Sequence, residues 1–128
     1  MDILIVDDSL VLRKILQRVI RNAGINVGQI QEAGDGQAAL QCLDAFKPDL
    51  ILSDINMPIM DGLELLKRLK ASDSLKSLPV IMISTEASTE RVMESIKLGA
   101  CNFIRKPFIE DDIREKFDSL AKTTVRKG

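Results

Sequence analysis

Short apolar runs at wide, fairly even intervals constrain this chain more than any other feature. Ile3-Leu4-Ile5-Val6, Leu50-Ile51-Leu52 and Val80-Ile81-Met82-Ile83 are near-continuous in apolar residues rather than alternating. A strand with one wet face alternates apolar and polar side chains, whereas a strand covered on both faces does not. These three runs therefore predict the centre of a parallel sheet covered by helices. A weaker run from Val27 to Ala33 and the run Cys101-Asn102-Phe103-Ile104 bring the strands to five. The spacers have helical periodicity. Leu12, Ile15 or Leu16, and Val19 recur at helical spacing, as do Leu63, Leu66 and Leu69, and then Ile113, Phe117 and Leu120.

The punctuation agrees with this alternation. Ser9 can cap the first helix and Gly24 can end it, and Gly99 ends the helix around Arg91 to Leu98. Pro48 and Pro79 precede strands, where a missing N–H costs little. With 128 residues there is one domain and no internal linker. Parallel connections are right-handed, so five βα units predict one open, doubly wound α/β sheet.

Composition removes several function classes. Eighteen basic residues face nineteen acidic ones, for a formal charge of −1, which argues against duplex nucleic acid held by net charge. Histidine is absent, which excludes histidine triads, imidazole zinc sites and a phosphohistidine on this chain. Without tryptophan or tyrosine there is almost nothing on which a base could stack. Cys42 and Cys101 form no C-x-x-C and read as small buried hydrophobes of a reducing cytosol. The start, MDILIVDD, has no basic region and no long apolar run, and nothing approaches the ~18 apolar residues of a membrane span. The expectation is a cytoplasmic protein with no membrane or nucleic-acid partner.

In open α/β sheets ligands bind beyond the carboxyl ends of the strands, so the residues there carry the chemistry. The first strand ends in Asp7-Asp8, the third in Asp54, the fourth in Ser84-Thr85-Glu86, and the fifth leads into Lys106-Pro107. One such aspartate would read as a cap or turn residue. Three together would not, because two unit charges ~5 Å apart repel by roughly 3 kcal/mol at an effective dielectric of ~20. Such a cluster protonates in part or binds a cation, and hard oxygen ligands suit magnesium. An acidic metal site facing a lysine and a hydroxyl suits a phosphoryl group.

Asp7-Asp8, the stretch Asp54-Ile55-Asn56-Met57-Pro58-Ile59-Met60-Asp61-Gly62, Ser84 and Lys106-Pro107-Phe108 resemble the receiver domain of bacterial response regulators, CheY-like. The resemblance covers about residues 2 to 121. It implies a flavodoxin-like sheet of order 2-1-3-4-5 with five helices. It implies a two-component phosphorelay in which Asp54, the phosphoacceptor, takes its phosphoryl group from a histidine kinase. Asp8, Asp54 and the Asn56 carbonyl would ligate Mg2+, with Asp7 supporting the site through water. Lys106 would pair with phosphoryl oxygens, Ser84 would hydrogen-bond one of them, and Phe103 would turn inward as an aromatic switch. The face of the fourth helix, fifth strand and fifth helix would then change its affinity for a target, with a flagellar motor switch protein as one candidate. Such a receiver assists its own phosphorylation and dephosphorylation but has no separate substrate, so it is not an enzyme in the usual sense.

There are departures. Phe103 stands where many chemotaxis members have tyrosine, and Thr85 where alanine is frequent. Asn56 and Glu86 occupy positions that tune dephosphorylation in the family, and the larger β-branched Thr85 beside the phosphate would tune it too, by slowing access of attacking water or donor. Gly34-Asp35-Gly36-Gln37-Ala38-Ala39 imitates a dinucleotide fingerprint, but its carboxylate and its place after the second strand make it a helix-opening turn. The basic residues of the first helix read as a solvated face, and Glu110-Asp111-Asp112 as the first turn of the last helix. The expectation is a monomeric receiver over residues 1–121 with a short polar tail, 122–128, acting alone as a chemotaxis-type regulator. The alternatives are a receiver cut from a longer regulator with an output domain, and a phosphorylation-independent interaction module.

Overall fold

The computed structural model describes residues 1–85 and 88–127, with side chains as far as Ser119. Strands and helices alternate strictly: β1 (Ile3–Val6), α1 (Leu10–Asn22), β2 (Ile30–Ala33), α2 (Gly36–Cys42), β3 (Leu50–Ser53), α3 (Gly62–Ala71), β4 (Val80–Ser84), α4 (Thr89–Lys97), β5 (Asn102–Arg105) and α5 (Glu110–Lys127). All four strand pairings are parallel, in the order β2-β1-β3-β4-β5. The doubly wound sheet expected from the sequence is the one observed.

Alternate residues of each strand face opposite layers, which makes two cores from one sheet. Ile3, Ile5, Leu50, Leu52, Ile81, Ile83 and Ile104 pack with Leu16 and Ile20 of α1 and Ile113 and Phe117 of α5. Leu4, Val6, Ile51, Val80 and Met82 pack with Ala39 of α2 and Leu63, Leu66 and Leu69 of α3. A fully buried Leu or Ile contributes about 1.5–3 kcal/mol, so these faces dominate the driving force for folding. The buried stripe of α1 is Leu16 and Ile20, continued by Ala23 at its C-cap, while Ile15 is 41% exposed, so the stripe is rotated from the expected Leu12–Val19 line.

The helix ends follow side-chain chemistry. Ser9, Asp35, Asp61 and Ser88 each accept a hydrogen bond from a first-turn N–H of α1, α2, α3 and α4. The glycine pair around Asp35 is thus a helix-opening turn. Gly24 and Gly99 follow α1 and α4 with φ of +80° and +111°, a region that an L side chain rarely adopts. Helix α5 carries on through residues 122–127, read above as a tail, because no glycine or proline interrupts it before Gly128. Cys101 is exposed and Cys42 half-buried, contrary to the buried reading. Cys101 lies in the turn entering an edge strand, and the Cys42 thiol donates to Gln31 Oε1 at 3.1 Å. Among the described residues no helix is long and apolar enough to cross a membrane.

Candidate functional site

The strand order reverses beside β1, since the chain leaves it toward β2 on one side and meets β3 on the other. The crevice between the ends of β1 and β3 is where such a sheet presents its ligand site. Asp7-Asp8 follow β1 and Asp54 follows β3, and the Asp54 N–H bonds the Val6 carbonyl at 2.8 Å. One carboxylate oxygen from each of Asp7, Asp8 and Asp54 lies within 4.8 Å of the others. Asp7 and Asp54 are buried and Asp8 is exposed, so the cluster opens to solvent on one side.

Lys106, at the end of β5, reaches into this cluster. Its Nζ lies 2.9 Å from Asp7 Oδ2 and 3.4 Å from Asp54 Oδ2, with only 9% of its side chain exposed. The other oxygen of Asp54 accepts the Ile55 N–H at 2.7 Å, and Asp7 Oδ1 accepts the Ser9 N–H at 2.9 Å. Burial pushes the Asp54 carboxyl above its ordinary range and the charge of Asp7 adds to this, while Lys106 and the Ile55 N–H offset only part. Among the described residues Lys106 pairs with Asp7 and Asp54, one positive charge against a cluster of three carboxylates. A divalent cation at the cluster would supply the missing positive charge, and the oxygen donors present fit a hard ion.

The loop from β3 to α3 holds Asp54 by backbone packing. Gly62 donates to the Ile55 carbonyl at 2.7 Å, and a Cβ at Gly62 would overlap the Asp54 carbonyl oxygen. Only glycine permits that approach. In the same loop Ile59 has φ of 68° and is 82% exposed, a left-handed conformation at a β-branched residue.

The remaining expected residues occupy the same edge. Ser84 is buried at the end of β4 with its carbonyl accepting the Lys106 N–H at 3.0 Å, so serine and lysine stand on neighbouring strand ends. Thr85 is exposed beside it, and Asn56 is exposed two residues beyond Asp54. Phe103 is half-buried, pairs in register with Met82 and packs against the core that faces α2 and α3. Glu86 lies outside the described residues.

The basic face of α1 is not the uniformly solvated one that its periodicity predicts. Arg13 has 16% of its side chain exposed, donates through Nη1 to the Asp7 carbonyl at 2.7 Å and pairs through Nε with Glu32 Oε1 at 2.9 Å. Lys14 pairs with the other oxygen of Glu32 at 2.7 Å. Burial raises the Glu32 carboxyl, but hydrogen bonds from Lys14 and Arg13 outweigh it and hold Glu32 below its ordinary value. The signal in the sequence was an acid on β2, half-covered and therefore needing a partner from the helix that packs beside it.

Residues 3–118 match the family model of the response regulator receiver domain. Chemotaxis protein CheY-3 of Vibrio cholerae is 42% identical over 120 residues, which is 94% of this chain and 91% of that protein. The solved structure of chemotaxis response regulator CheY4 of Vibrio cholerae superposes with a TM-score of 0.81 at 31% identity, covering 92% of this chain and 96% of the other. The Mn(2+)-bound form of response regulator Rcp1 superposes with a TM-score of 0.75 at 30% identity, covering 89% and 87%. An acidic cluster and lysine at the switch point of a 2-1-3-4-5 sheet, within a chain so similar to these, leave one assignment: the protein belongs to the response regulator receiver domain family.

Proposed function

We propose that this chain is a cytoplasmic phosphoacceptor receiver, phosphorylated on Asp54 by a sensor histidine kinase and switching its affinity for a downstream partner. The observation that carries the reading is the Asp54 carboxylate, buried and 3.4 Å from Lys106 within a cluster of acids. A carboxylate nucleophile attacks phosphorus while the bond from phosphorus to the donor nitrogen breaks, and the leaving imidazole keeps the electron pair and takes a proton from solvent. No histidine is present among these 128 residues, so a donor histidine lies outside them, and a small phosphoanhydride-like molecule is the other donor class. Asp54 is aimed by the Ile55 N–H on its far oxygen, and Lys106 meets the charge that develops on the transferred group.

Asp7, Asp8, Asp54 and the Asn56 carbonyl are the groups that would hold Mg2+, which neutralises charge on the acids and on the incoming phosphoryl oxygens when bound. That the structurally similar response regulator Rcp1 has a Mn(2+)-bound form supports a divalent ion on this fold. Leu10, Val11 and Ile109 are exposed in or after the loops that carry Asp8 and Lys106, and suit a protein donor rather than a small one.

After transfer, Ser84 and Lys106 bind the phosphoryl oxygens, and the site's pull on them biases Phe103 and the face of α4, β5 and α5. The likeness to CheY-3 and CheY4 supports a chemotaxis-type, stand-alone role, and a motor switch protein is the target that this reading names. The chain acts on no substrate beyond its own Asp54. Incubation with acetyl phosphate and Mg2+, followed by intact-mass measurement, tests the reading. One added phosphoryl group, absent in Asp54→Asn, is expected, and no addition with any donor would leave an interaction module instead.

A further inference from the structure

Asp7 is held through its N–H, its carbonyl oxygen and both carboxylate oxygens. Its N–H donates to the Ala33 carbonyl at 3.1 Å, its Oδ1 accepts from Ser9 and its Oδ2 from Lys106. Its carbonyl oxygen, at the start of the turn that carries Asp8, accepts from Arg13 Nη1 at 2.7 Å. Arg13 sits in the first turns of α1 and is itself fixed through Nε by Glu32, the residue of β2 that stands opposite Ile5 in register. The planar guanidinium therefore spans from the second strand to the end of the first. Its fork serves a carboxylate and a carbonyl at once, which an ammonium cannot do in a fixed geometry.

We propose that Arg13, braced by Glu32, is a positioning residue that holds the Asp7-Asp8 turn in the geometry needed to bind a divalent cation. This rests on the reading of the acidic cluster as a cation site. The alternative role for a cation at this place is purely electrostatic, and the two roles predict opposite signs. A guanidinium that acted only through its charge would repel Mg2+, so removing it would tighten binding. A guanidinium that acts by holding the turn would weaken binding when lost, by about 10-fold or more, as for other groups that orient metal ligands.

The test uses Arg13→Gln and Arg13→Lys in the full chain, because lysine retains charge and stem but not the fork. Mg2+ binding is followed by calorimetry, and amide exchange of the metal-free proteins is followed at Asp8 and Ser9. Weaker Mg2+ binding by about 10-fold in both variants, with faster exchange at Asp8 and Ser9, is expected. Unchanged exchange in both variants overturns the proposal, as does equal or tighter Mg2+ binding in a variant when the parent protein binds. Wild-type protein that binds no Mg2+ overturns the cation reading itself, and the proposal with it. Should Arg13→Gln fail to fold, Arg13→Lys alone decides both arms.

Discussion

Replacing Asp54 by asparagine is expected to stabilise the metal-free protein at neutral pH, and the amount follows from the distances in the cluster. Carboxylate oxygens no more than 4.8 Å apart repel by at least about 3.5 kcal/mol at an effective dielectric of ~20. Lys106, 3.4 Å away, returns about 5 kcal/mol on the same scale. Asp8 is exposed, so solvent screens much of its share, and the opposing Coulomb terms nearly cancel. Burial of the Asp54 charge then tips the balance against the ionised form. Asparagine keeps the acceptor for the Ile55 N–H and removes the charge, so a gain of about 1–2 kcal/mol is expected.

The pH dependence follows from the same shift. The Asp54 value in the folded state lies above its ordinary 3.8, so the wild-type chain loses stability as pH rises from near 3.8 through the folded value. Asparagine does not titrate there. The difference between the two proteins is therefore absent at more acidic pH and grows as pH rises through the folded value. Urea unfolding in EDTA, followed by far-UV circular dichroism because the chain has no tryptophan or tyrosine, measures it. Adding Mg2+ at 100 times its dissociation constant stabilises the wild type by about 2.7 kcal/mol and reverses the order. An asparagine variant that is less stable in EDTA at pH 7, or whose advantage grows toward acid, would refute the reasoning.

Three further outcomes are expected. Gly62→Ala places a methyl group on the Asp54 carbonyl and destabilises by about 1–3 kcal/mol in the same urea assay, with loss of Mg2+ binding in whatever fraction folds. Ile59→Asn relieves a left-handed backbone at an exposed position and raises stability by about 1 kcal/mol, leaving Mg2+ affinity unchanged. Asn56→Ala and Glu86→Ala alter the lifetime of the phosphorylated form, measured as release of inorganic phosphate after the donor is removed.

The central strands were readable because burial on both faces leaves an unbroken apolar run, as in Ile3–Val6 and Val80–Ile83. The second strand was read as starting at Val27, whereas β2 begins at Ile30. An edge strand that is half-buried carries a diluted signal, and the segment before it is held by bonds from the Gly28 N–H to the Met1 carbonyl and from the Gln29 N–H to the Asp2 carboxylate that no pattern announces. The acids and Lys106 were legible as a group because topology alone brings strand ends together. Arg13 was not, since helical periodicity ranks it with Arg18 and Arg21, and only its pairing with Glu32 across the β1–β2 edge turns it inward. The left-handed Ile59 was equally hidden, because its side chain disfavours the conformation that the loop imposes.

The central claim is a covalent one, so its most direct test identifies the bond. After exposure to acetyl phosphate and Mg2+, borohydride reduction converts an aspartyl phosphate to homoserine, and peptide mass spectrometry then locates the altered position. Homoserine at position 54, dependent on Mg2+ and reduced in Lys106→Ala, is the predicted result. Conversion at Asp7 or Asp8 in place of Asp54, or no conversion under conditions that phosphorylate a related receiver, would contradict the account.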